Sequence, residues 1–138
     1  MILYAASPGV SAKDREFFLD AMSGAGRFVP LAEELFSAGA AVSGCGPAFA
    51  EVFLEALADG GVACGLPRDV AMELAAQTLV GSARLMLETG KHPGVLKDAV
   101  CSPGGTTIQG VRALERAGFR SGVIEAVIAA WERDKALG

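Results

Sequence analysis

The sequence predicts a mainly α protein entered through a short strand–helix–strand segment. Three observations carry that prediction. From about residue 32 onward, every strong apolar pattern has the helical period, with apolar residues at i, i+3, i+4 and i+7. The segment before it holds two short apolar runs, Met1 to Ala5 and Arg27 to Leu31, on either side of one amphipathic stretch, as in an α/β unit. Proline and glycine fall where helices should start and stop.

Taken in order, Met1 to Ala5 reads as a strand ended by Ser7-Pro8-Gly9. Ser11 is a good helix N-cap with Asp14 in the first turn, and Phe17, Phe18, Ala21 and Met22 form one face of a helix that stops near Gly24 to Gly26. Arg27 to Leu31 is the second strand. Ala32 to Ala41 is a short helix or turn leading to Gly44-Cys45-Gly46-Pro47, where proline suits the first turn of the next helix. Phe49, Val52, Phe53, Ala56 and Leu57 mark that helix, which Gly60-Gly61 should end or bend. Leu66-Pro67-Arg68-Asp69 opens a long helix that carries Val70, Leu74, Ala75, Thr78, Leu79, Leu85 and Met86 and stops at Gly90. Pro93 opens a short one with Val95, Leu96, Ala99 and Val100. Ile108, Val111 and Leu114 mark another, closed by Gly118, and Val123, Ile124, Val127, Ile128 and Trp131 mark the last. Many Ala, Gly, Ser and Thr residues among Leu and Met suit closely spaced helices.

Composition narrows the function. The chain has 138 residues, 51% apolar and only 20% charged, with a mean hydropathy of +0.40. So oily a small domain should leave apolar surface after folding, and a second copy of the same chain is the usual partner for it. Arg27, Glu51, Glu55, Arg68 and Arg84 interrupt the apolar runs, so no run is expected to reach the roughly 20 residues that cross a bilayer. The start has no basic region and is too short for a secretory signal. The net charge of −4 and the lack of a basic stripe argue against a nucleic-acid partner. Cys45, Cys64 and Cys101 are odd in number and form no CxxC pair, which argues against a disulfide framework or a zinc site. Small buried thiols in a reducing cytoplasm are the expectation. His92 is the single histidine, so no metal site built on several imidazoles is expected.

The strongest chemical signal is Ser102-Pro103-Gly104-Gly105-Thr106-Thr107. Proline and paired glycines break a helix, and two threonines open the next. Backbone N–H groups at a helix start converge on an anion. The N–H groups of Gly105 to Thr107, with the Ser102 hydroxyl, are the expected carboxylate cradle, and glycine lets a ligand approach the backbone. A threonine hydroxyl then reaches the atom next to that carboxylate. The plain alternative is a connecting loop in which Thr106 caps the helix. Gly44-Cys45-Gly46-Pro47 is half of a dinucleotide fingerprint without its third glycine or its preceding strand, and reads as close helix packing or a second pocket wall. His92, before a proline, reads as a helix-start residue. Glu33, Glu34, Glu51, Glu55 and Glu73 read as solvated helix faces, and Lys91 and Lys97 as surface lysines.

The run HPGVLKDAVCSPGGTTIQGVRALERAGFRSGVIEAV resembles the signature region of pyrroline-5-carboxylate reductases, and AVSGCGPAFAEVFLEALADGGVACGLPRDVAMELAAQTLVGSARLMLETG resembles the helices before it. The likeness is nearly continuous from Val42 to Trp131, and residues 1–31 resemble the last strand–helix–strand of that family's nucleotide-binding domain. It implies two parts. Residues 1–31 are a Rossmann-domain remnant. Residues 32–138 are a multi-helix dimerisation and substrate-binding domain of the 6-phosphogluconate-dehydrogenase C-terminal-like type. It further implies that Ser102, Gly104, Gly105, Thr106 and Thr107 bind the substrate. Thr107 is the catalytic residue beside the imine nitrogen, and hydride comes from NAD(P)H to the imine carbon during reduction of 1-pyrroline-5-carboxylate to proline. A cytoplasmic homodimer or higher oligomer is the implied assembly.

Two departures stand out. The family usually has Ser where this chain has Cys45, and the Gly-rich loop and most of the Rossmann sheet are absent. A part of a longer enzyme, or a naturally shortened relative, is therefore expected, one that binds no NAD(P)H by itself and does not reduce the imine alone. The alternatives are a non-catalytic, late-competence-like paralogue serving as a dimeric binding or assembly module, and a dehydrogenase of the same plan acting on a different small acid.

Overall fold

The structure is a computed structural model that describes Met1 to Leu137. Strand β1 (Ile2–Tyr4) pairs in parallel with β2 (Phe28–Pro30), with Ile2 opposite Phe28 and Tyr4 opposite Pro30. The crossover helix α1 spans Ala12–Ala21. As the sequence predicts, Ser11 caps it: the Asp14 N–H donates to Ser11 Oγ at 3.1 Å, and that hydroxyl donates to Asp14 Oδ2 at 2.6 Å. Phe18 of α1 stands edge-on to Phe28 with ring centres 5.9 Å apart, so the helix packs on β2. A 3-10 turn, Ser23–Ala25, and Gly26 at φ 139° return the chain to the sheet.

The rest is helical. A 3-10 turn (Glu33–Leu35) runs into α2 (Phe36–Ser43). Then come α3 (Gly46–Ala63), α4 (Arg68–Thr89), α5 (Pro93–Ala99), α6 (Thr106–Arg116) and α7 (Phe119–Lys135). The predicted stops are found: Gly90 ends α4 at φ 63°, and Gly118 follows α6 at φ 75°. One of two expected outcomes is excluded. The pair Gly60-Gly61 does not end α3, which runs on to Ala63. Gly61 serves packing instead: a Cβ there would lie 3.3 Å from the Ala71 Cβ and 3.2 Å from Leu66 Cδ1.

Packing divides the chain into two compact units, Met1–Pro47 with Ala126–Gly138, and Ala48–Glu125. Within the second, Ala58, Ala71 and Ala75 form a buried cluster with Leu54 and Val62 against it, and Phe53 packs on Phe119 with ring centres 5.4 Å apart. Among the described residues the buried apolar side chains are alanines: Ala41, Ala58, Ala71 and Ala75. The periodic faces read from the sequence are real, yet this chain does not cover them. Val52 is 68% exposed, Leu74 53% and Ile124 57%. The thiols of Cys45 and Cys64 are likewise exposed rather than buried as expected, and Cys101 is half-buried. The estimate of apolar run length also needs correction. The stretch Glu33–Ala63 contains a window of mean hydropathy 1.3, long and apolar enough by composition to cross a membrane, with 6% of that window buried.

Candidate functional site at the start of helix α6

The loop between α5 and α6 is built by a turn. Pro103 holds the second position, Gly104 the third at φ 68°, and the Gly105 N–H donates to the Ser102 carbonyl at 3.0 Å. That is the pattern of a type II turn, in which the third residue needs the left-handed region open to glycine. Gly105 is required for a different reason. A Cβ on it would fall onto Ser102 Oγ and lie 3.2 Å from the Ser102 carbonyl oxygen. The sequence signal for this turn, Pro-Gly in the middle of the run, was present; reading it only as a helix breaker missed it.

Gly105 is also the N-cap of α6 and brings no side chain to it. The reading in which Thr106 caps the helix is therefore not what forms: Thr106 is the first helical residue. The N–H groups of Thr106, Thr107 and Ile108 precede the first intrahelical bonds and have no side-chain partner. One detail of the expected cradle changes. The Gly105 N–H is turned back to Ser102, so the outward donors begin at Thr106, and Gly104 and Gly105 serve by shape. Ser102, Thr106 and Thr107 are exposed around this helix end, and Gly105 is half-buried.

The flanking groups resolve simply. His92 is the N-cap of α5: the Gly94 N–H donates to its Nδ1 at 3.0 Å, and the ring is exposed. Lys97 Nζ lies 2.7 Å from Asp98 Oδ1. The hydrogen bond and charge of Asp98 hold the ammonium above the usual lysine value. A raised lysine pKa adds stability that is complete below the unfolded value and is lost only as pH rises through the folded one, so near neutral pH the Lys97 ammonium gives no pH dependence. Glu33, Glu34, Glu51, Glu55 and Glu73 are exposed, as the sequence suggests.

Two loops, before α1 and before α3, do not suit a dinucleotide pyrophosphate. The turn after β1 leads to α1, whose N-terminus is occupied by Ser11 Oγ and the Asp14 carboxylate. An acidic group there opposes a phosphate. At Gly44 to Pro47 both the Gly44 and Cys45 N–H groups are spent on the Ala40 carbonyl, at 2.7 and 3.1 Å, and proline has none. Of the two glycines in that loop, Gly44 is closely packed, with a would-be Cβ 2.9 Å from the Ala40 carbonyl oxygen, whereas a Cβ on Gly46 would meet nothing within 4 Å.

Comparison with known proteins decides the family. The family described as pyrroline-5-carboxylate reductase dimerisation matches residues 33–137. The chain belongs to that family. It is 51% identical over 131 residues to the pyrroline-5-carboxylate reductase of Synechocystis, covering 95% of this chain and 48% of that protein. The reductase structure from Coxiella burnetii matches with a TM-score of 0.91 at 34% identity, over 99% of this chain and 51% of that one. That of Plasmodium falciparum pyrroline carboxylate reductase, which has NADP bound, matches at 0.86 and 35%, over 99% and 52%. The chain thus spans about half the length of the curated relatives it matches.

Proposed function

We propose that this chain is the dimerisation and substrate-binding part of a pyrroline-5-carboxylate reductase, which reduces 1-pyrroline-5-carboxylate to proline with NAD(P)H. The observation that carries the reading is the uncapped start of α6, where exposed Ser102, Thr106 and Thr107 surround N–H groups without a side-chain partner. The family match and the shared name of the relatives support it.

In this reading the substrate carboxylate sits on the Thr106 and Thr107 N–H groups, with the Ser102 hydroxyl beside it. The helix end contributes donors and a favourable dipole in place of a charged side chain. The ring nitrogen is bonded to the carbon that bears the carboxylate, so anchoring one fixes the other. The Thr107 hydroxyl hydrogen-bonds that nitrogen and orients the C=N bond. The gain is positional: a held carboxylate and a held nitrogen leave the ring one orientation. In this reading NAD(P)H is held by the nucleotide-binding half of the enzyme, and the isolated chain oxidises none. The chain acts as a homodimer.

Thr107→Val tests this in the full-length protein, because it keeps the shape and deletes the hydroxyl. Losing a preorganised donor of this kind costs about 10²–10³ in kcat. Turnover within a factor of about two of the parent would remove Thr107 from the mechanism.

A further inference from the structure

The sequence divides the chain after residue 31, and the dimerisation family's match begins at residue 33. The packing does not divide there: α2 lies in the same compact unit as the strands, Met1–Pro47. The strand pair shows why. Neighbouring side chains along a strand point to opposite faces. Leu3 pairs with Val29, and Leu31 continues the ladder by donating its N–H to the Tyr4 carbonyl at 3.0 Å, so Leu3 and Leu31 share one face of the sheet. Tyr4 and Phe28 share the other, where Phe28 meets Phe18 of α1. Helix α1 covers that face, and α2 comes to the leucine face at Gly39. A Cβ on Gly39 would lie 2.5 Å from Leu3 Cδ1 and 2.9 Å from Leu31 Cδ2, whereas carbon atoms rest about 3.5–4.0 Å apart. Gly39 sits inside α2, where glycine weakens a helix relative to alanine. Close approach of both leucines is what glycine permits there.

We propose that Gly39 docks the strand segment on α2 and is thereby a positioning residue of the full-length protein. It acts through Leu3 and Leu31 and not by contact with the reacting molecules. The inference rests on the reductase reading above, in which the strands belong to the nucleotide-binding half and the helical part carries the α6 cradle. It adds the contact through which the first is held on the second. Reacting groups must meet in one geometry, and a misplacement of about 1 Å can cost about 10²-fold in rate. A methyl on Gly39 lacks about that much room between the two leucines.

Three variants of the full-length protein test this, read by amide hydrogen exchange and by steady-state kinetics. Gly39→Ala should speed exchange in β1, β2 and α2 by about tenfold or more while α4 keeps its protection. Its kcat should fall by about tenfold or more, with KM for the pyrroline carboxylate unchanged because the cradle is untouched. Leu3→Val together with Leu31→Val removes both Cδ atoms without overpacking, and should lower kcat by about threefold with the same unchanged KM. Adding Gly39→Ala to that pair fills the space again, and exchange and kcat should return to within a factor of about two of the parent. Should Gly39→Ala not fold, the leucine pair and the triple variant carry the test. A loss in Gly39→Ala that the two valines do not recover would place its cause in the helix and overturn the docking role. Parent-like exchange and kcat in both Gly39→Ala and the leucine pair would overturn it as well, and a loss on Thr107→Val in the same protein would then leave the reductase reading standing. A parent protein that reduces no pyrroline carboxylate would overturn both.

Discussion

Residues 44–47 and 102–107 are both glycine- and proline-containing entries to a helix, and the structure treats them differently. At the second, each glycine is demanded by this chain itself: Gly104 by its left-handed backbone at φ 68° and Gly105 by the Ser102 side chain against it. The turn spends the Gly105 N–H and leaves those of Thr106 and Thr107 pointing away from any cap. At the first, Gly44 and Cys45 both donate to Ala40, a Cβ on Gly44 would lie 2.9 Å from the Ala40 carbonyl oxygen, and Gly46 faces open space. The difference teaches that glycine and proline alone do not mark a binding loop. What marks it is where the freed N–H groups go: before α6 they stand beside exposed hydroxyls, whereas before α3 those of Gly44 and Cys45 turn back to Ala40.

Substitution breaks this comparison most severely at Gly105. Gly105→Ala places a methyl on Ser102 Oγ. The loop must open, at a cost of about 1–3 kcal/mol by analogy with overpacking. In the full-length protein the expected result is a lower melting temperature and a rise in KM for the pyrroline carboxylate of at least tenfold. Unchanged KM would mean that the Ser102 hydroxyl and the α6 N–H groups do not act together on the substrate.

Gly104→Ala comes next. Nothing lies within 4 Å of its would-be Cβ, so the penalty is purely conformational. A non-glycine residue in the left-handed region costs about 1–2 kcal/mol. Urea unfolding should show that loss with no steric component, and Gly104→Asn, which tolerates this region better, should recover part of it. Equal destabilisation by Ala and Asn would point to a cause other than φ.

Much of this was legible in the sequence, and the reason is local. Ser11 with Asp14, Pro93, Gly90 and Gly118 act on the few residues around them, so each start and stop could be read without knowing the packing. Gly61 was misread because its role depends on Ala71, on the next helix, whereas a helix breaker is a property of the chain next to it. The faces of α3 and α4 were legible as apolar but not as uncovered: periodicity says that Val52 and Leu74 want cover, and not whose. In the site, the residue types of the cradle were legible, while the loss of the Gly105 N–H to Ser102 was not. That bond depends on the turn type, which the Pro103-Gly104 pair does encode once it is read as more than a helix breaker.

The mildest test falls on the other loop. Cys45 lies between α2 and α3, its thiol is exposed, and its structural contribution is the N–H bond to Ala40 at 3.1 Å, which any residue except proline can make. Cys45→Ser preserves that bond and replaces an exposed thiol by a hydroxyl of similar size. Such surface changes stay within about 0.5 kcal/mol, and turnover of the full-length protein should stay within a factor of about two. The comparison predicts this small effect because the N–H groups of Gly44 and Cys45 are spent on Ala40, so position 45 offers no donor of its own to a ligand. A tenfold gain in turnover would show the opposite: that a serine at this position contacts the reacting molecule, and that residues 44–47 form a wall of the site although Gly44 and Cys45 donate to Ala40.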